Sequence, residues 1–148
     1  MMVIQQWADK MTADTHSMTI RPSAVAGLFY AGDRDRLQAQ VLDLLAGAAG
    51  STKVMIKALV APHAGYRYSG PVAATAFATL RESLQNFSRV VLIGPAHYVY
   101  LRGIAAPTVD AFETPLGRVP VDLEALSTIA DLPFVVRSDA PHAPEHAL

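Results

Sequence analysis

Four of the five histidines in this chain sit in three short stretches beside other groups that can bind metal or move protons. "LVAPHAGYRYSG" (59–70) carries His63, Tyr66 and Tyr68, "GPAHYVY" (94–100) carries His97, and "SDAPHAPEHAL" (138–148) carries Asp139, His142, Glu145 and His146. Neutral imidazole offers a lone pair to a divalent ion and titrates near neutrality. Two or three histidines with one carboxylate therefore suit a metal centre holding Fe(II), Zn(II) or Cu, or metal-free acid–base work. A nearby carboxylate would add charge neutralisation or orient a ligand histidine from behind. Each group also has a plainer reading. A histidine in a Pro-His-Ala-Gly turn often bonds to backbone, His142 and His146 fit a solvated turn, and tyrosines beside glycine commonly pack against a neighbouring layer.

The pattern of the chain supplies elements to hold these groups. "IKALVA" (56–61) and "SRVVLIGP" (88–95) read as short apolar strands, the second β-branched enough for a parallel sheet buried on both faces. "RGIAAPTV" (102–109) and "PFVVRSD" (133–139) read as two more. Asp33 can cap a helix through Leu37, Val41, Leu44 and Leu45, and Gly47 or Gly50 can end it. "PVAATAFATLRESL" (71–84) starts with proline at a favoured first helical position, and Ser69 is placed to cap it. Gly65 and Gly70 allow positive φ or a close backbone approach. "ETPLGRVPVD" carries turn residues, and Asp122 caps a short helix over "DLEALSTIA". Strands alternating with helices predict an α/β fold with a mainly parallel sheet. In such a sheet ligands bind where the strands' carboxyl ends open into loops. His63, His97 and the terminal cluster all follow predicted strands, so they share that edge, and only His16 falls outside it.

Composition narrows the field. The 148 residues amount to one domain, half of them apolar, with a formal net charge of −1 and no cysteine. No nucleic acid is expected as partner, and neither a disulfide framework nor a thiolate site can form from these residues. Residues 1–17 carry no signal-peptide or membrane pattern, so a tail or misplaced start ahead of a domain over 18–148 is expected, with no membrane partner and a cytoplasmic location. The phosphate-loop, dinucleotide and nucleophile-elbow motifs are all missing. The thin set of strands, and an end that falls amid ionisable residues, predict the N-terminal half of a longer domain.

Five blocks in register, "RPSAVAGLFYAGD", "APHAGYRYSGPVAATAF", "VVLIGPAHYVYLRGIA", "FETPLGRVPVD" and "EHAL", closely resemble the Memo-like family, also called AmmeMemoRadiSam system protein B. The resemblance implies a fold similar to class III extradiol ring-cleavage dioxygenases. It marks His63 and His97 as metal-site residues, with His146 lining the same pocket and Asp139 near it. Ala96, Tyr98 and Ala147 depart from the family's usual serine, histidine and serine. The family's third ligand, a cysteine in its better-known members, lies in a carboxy-terminal part beyond this chain.

The expected assignment is therefore His63 and His97 as metal ligands, with His146, Asp139 and Tyr66 as catalytic candidates. The expected function is a metal-binding, dioxygenase-like oxidoreductase, most naturally of Fe(II), with an unknown substrate. A non-catalytic adaptor holding a peptide or small ligand is the alternative, as the family's eukaryotic members are described chiefly as signalling adaptors. A metal-dependent hydrolase is a third reading, and it would need Asp139 or Glu145 as base. An exposed sheet edge would favour self-association, and the family name implies a pathway shared with AMMECR-type and radical-SAM proteins.

Overall fold

The computed structural model describes residues 17–49, 56–81 and 87–147. In chain order the elements are β1 (Ile20–Arg21), α1 (Arg34–Ala46), α2 (Tyr66–Ala78), β2 (Ile104–Ala106), β3 (Ala111–Thr114), β4 (Gly117–Pro120), α3 (Leu123–Ser127) and β5 (Val135–Arg137). They form a mixed α/β fold with two small sheets. In one, β1 runs parallel to β3 and β3 antiparallel to β4; in the other, β2 and β5 are parallel. Among the described residues no helix is long and apolar enough to cross a membrane. Most of the expected tail over 1–17, and the end of the helix expected to reach Leu84, lie outside the described residues.

Local chemistry explains the helices. Extended backbone at Asp33 lets its carboxylate accept the Arg36 N–H at 3.0 Å, which starts α1. Asp122 does the same for α3 through the Ala125 N–H at 2.8 Å. α1 buries Leu37 and packs on α2, whose Ala74 and Ala78 are buried, while the Arg81 side chain donates to the Leu45 carbonyl at 2.9 Å. The second helix starts earlier than expected. The Tyr66 N–H donates to the Phe29 carbonyl at 2.7 Å, and the Gly65 carbonyl accepts from Tyr68 and Ser69, so the first turn is already closed ahead of Pro71. Pro71 sits inside α2 and removes one backbone hydrogen bond from it. Ser69 does not cap; its Oγ donates backwards to the Ala64 carbonyl at 2.7 Å.

Two of the strands expected most firmly are absent. "IKALVA" and "SRVVLIGP" form no strand, and Val60, Val90 and Val91 are 97%, 82% and 85% exposed. A β-branched run supplies the side chains of a strand, but a ladder needs a neighbouring backbone, and the described residues bring none to either segment. The turn residues of "ETPLG" instead close a β3–β4 hairpin, an antiparallel element that the expectation of a mainly parallel sheet did not contain. Its register pairs Ala111 with Pro120 and Thr114 with Gly117.

The β2–β5 pair depends on one glycine. Gly103 has φ +110°, and a Cβ there would lie 2.2 Å from the Phe134 carbonyl oxygen, the acceptor of the Ile104 N–H that opens the ladder. Gly103→Ala is expected to destabilise the chain by roughly 1–3 kcal/mol or more from backbone strain alone. Urea unfolding of the two proteins checks this, and equal midpoints would contradict it.

Candidate metal centre

His63 is delivered by the turn that leads into α2. Gly65 lies against Phe29, where a Cβ would come 3.3 Å from the Phe29 carbonyl oxygen, so glycine permits the close approach that docks this turn on residues 29–30. That close approach, not a positive φ, is its use. His97 follows the unpaired 88–95 run, and His146 lies in the final loop. The three imidazoles meet even though no strand carries the first two. Ring centroids are 5.2 Å apart for His63 and His97, 5.7 Å for His63 and His146, and 4.4 Å for His97 and His146, the last pair stacked at 19°. One ring nitrogen from each lies within 4.8 Å of the others, the donor set of a three-imidazole cation site. His63 and His97 are exposed and His146 is half-buried, so the cluster opens to solvent on one side. Phe29 packs on the His146 ring at 4.9 Å, and Tyr98 meets it edge-on at 5.7 Å.

Beneath the cluster lies Glu145, whose side chain is 2% exposed. Its Oε2 accepts the His97 N–H at 2.7 Å, and its Oε1 meets His97 Nδ1 at 2.8 Å and accepts the His146 and Ala147 N–H groups at 2.8 and 2.9 Å. Burial opposes ionisation of this carboxyl, but the hydrogen bonds from the His97 ring and from the three backbone N–H groups outweigh it and hold its pKa down at about 2. His146 Nδ1, 3.4 Å from Oε1, is buried with no hydrogen bond among the described residues. The backbone of this loop is gripped from the other side by Arg21 of β1. Its Nε donates to the His142 carbonyl at 2.9 Å and its Nη2 to the Glu145 carbonyl, with the guanidinium 5.2 Å from the Phe112 ring centre.

The other sequence candidates lie apart. Asp139 accepts the Thr108 N–H at 2.7 Å and the Thr108 hydroxyl, joining the segment after β5 to the one after β2. Tyr66 packs on Tyr30 at 5.6 Å, and burial, then the Tyr30 hydroxyl, raises its pKa. His142 is buried, with Nε2 3.1 Å from the Ala105 carbonyl and its ring edge-on to Phe112. Glu145 is the residue of this cluster that spacing underplayed. Its place between His142 and His146 offered only a weak hint, since its main partner is 48 residues away.

The sequence pattern of the Memo family, described as "Memo-like protein", matches residues 21–148. The chain belongs to the Memo family. A MEMO1 family protein of Aquifex aeolicus (strain VF5) is 37% identical over 131 residues, covering 88% of this chain and 47% of the relative. The MEMO1 family protein PAE0818 of Pyrobaculum aerophilum is 40% identical over 126 residues, covering 76% and 42%. The MEMO1 family protein MHO1 of Saccharomyces cerevisiae is 33% identical over 118 residues, covering 76% and 33%. This Memo chain therefore spans about half or less of the length of these curated relatives.

Asp139 gives the loop an acid sensitivity. Burial raises its pKa, but the Thr108 hydroxyl and the Thr108 and Val109 N–H groups outweigh this and set it below the ordinary aspartate value. A depressed carboxylate contributes stability that is full above about pH 4 and is lost as pH falls through the lower folded-state value. Asp139→Asn is expected to lower stability at neutral pH and to flatten its decline below about pH 4, read by thermal melts across pH. Parallel wild-type and variant curves would contradict this.

Proposed function

We propose that His63, His97 and His146 form a divalent-metal site in a Memo-like protein related to non-haem iron extradiol dioxygenases, with oxidoreductase activity on a small molecule. The observation that carries this reading is the approach of three imidazole nitrogens within 4.8 Å of one another. The donor set fits the ion. Three neutral nitrogens leave coordination positions for substrate, and a half-open cluster lets a small molecule reach them. Bound Fe(II) would supply redox chemistry and a Lewis acid at that opening.

The chain's own residues divide the remaining work. Phe29 and Tyr98 flank the His146 ring and present aromatic surface to whatever enters. Glu145 sits under the rings with its oxygens filled by N–H donors, so it holds position and does not take a proton from substrate. That weakens the hydrolase reading, which needs a free carboxylate base. The other carboxylate considered for that role, Asp139, is occupied by Thr108. A ligand-holding adaptor without turnover uses the same opening and differs in needing no metal.

The test is anaerobic Fe(II) titration of the chain beside the His63→Ala/His97→Ala double variant, with metal analysis after desalting. Binding of one ion per chain, lost in the double variant, is the expected result. Equal retention by both proteins, or by neither, would contradict the metal reading.

A further inference from the structure

We propose that Glu145 is a positioning residue that fixes the tautomer of His97, holding its Nδ1–H and leaving Nε2 as the lone-pair nitrogen. The argument begins with donor and acceptor capacity. A neutral imidazole carries one N–H and one lone pair, and the partner of either nitrogen decides which is which. Glu145 Oε1 accepts the backbone N–H groups of His146 and Ala147, and Oε2 accepts that of His97, so the carboxylate acts on every side as an acceptor. The group facing Oε1 at 2.8 Å, His97 Nδ1, is then the donor. Nε2 is left with its lone pair free.

The grip also fixes the ring's direction. One carboxylate holds both the backbone and the ring of His97, so rotation about either side-chain bond would break the ring's hydrogen bond to a carboxylate that is only 2% exposed. The same Oε1 holds the backbone N–H of His146, which places two of the three imidazole-bearing residues on one buried group. Arg21 holds the Glu145 carbonyl from β1, so the position of the carboxylate is set by the sheet and not by the loop alone. The consequence for metal affinity rests on the metal-site reading above; the tautomer assignment does not.

The experiment is long-range proton–nitrogen NMR of the histidine rings in the metal-free, nitrogen-15-labelled chain, at about pH 8.5, two units above the ordinary histidine value. His97 is expected as the Nδ1–H tautomer. In Glu145→Gln, whose amide oxygen can take the place of Oε1 while its NH2 forfeits the Oε2 bond to the His97 N–H, that tautomer should persist, whereas in Glu145→Ala it should give way to the Nε2–H form. Fe(II) affinity should fall by about 10–100-fold in Glu145→Ala and less in Glu145→Gln. A wild-type His97 in the Nε2–H form, or averaged between both, would overturn the proposal, and that spectrum decides the matter even if the alanine variant does not fold. A wild-type Nδ1–H tautomer in a chain that binds no Fe(II) would support the role of Glu145 and remove the metal reading alone.

Discussion

A carboxylate removed from water must have its lone pairs filled, and in this chain the filling of Glu145 organises the site. Left unpaired, such a charge would cost several kcal/mol. Here one imidazole and three backbone N–H groups converge on it, and among the described residues no lysine or arginine side chain does so. Satisfying this one anion requires the loop of His97 and the loop of His146 to lie together. The His97–His146 stack at 4.4 Å is a consequence of that shared demand.

Arg21 carries the constraint into the fold. The guanidinium bonds the carbonyls of His142 and Glu145, the first of which also accepts the Glu145 N–H at 3.2 Å, and it leans on Phe112 of β3. Because β1 and β3 are hydrogen-bonded to each other, the final loop is held to a sheet although it belongs to no strand. His63 reaches the cluster by a separate route, through a turn seated on Phe29, whose own ring packs against His146. Two independent supports therefore meet at three rings. The apolar run at 90–93 remains uncovered beside them, in a chain about half as long as its curated relatives.

Sequence reading recovered what local chemistry encodes. Asp33 and Asp122 announce their helices because a capping aspartate acts within three residues, and "RGIAAPTV" and "PFVVRSD" each contain the strand they predict. The resemblance carried by five blocks gave the family, and the rule that ligands gather where strands end brought His63, His97 and His146 together on paper. It misjudged what depends on partners. "IKALVA" and "SRVVLIGP" have the composition of strands without neighbours to pair with, and the α2 start follows a bond to Phe29 that lies 37 positions earlier in the chain. Glu145 was legible only as a candidate base for the same reason. A glutamate in a proline-rich terminal turn shows its use as a buried acceptor only once a histidine from a distant loop is placed against it.

The most direct test of the central claim, that three imidazoles, two of them placed by one buried carboxylate, hold a single ion, is X-ray absorption fine structure of the Fe(II)-loaded chain beside its His146→Ala variant. The account predicts imidazole scattering from three nitrogen ligands at about 2.0–2.2 Å, falling to two in the variant. A first shell made of oxygen without imidazole scattering, or a ligand count unchanged in the variant, would contradict it.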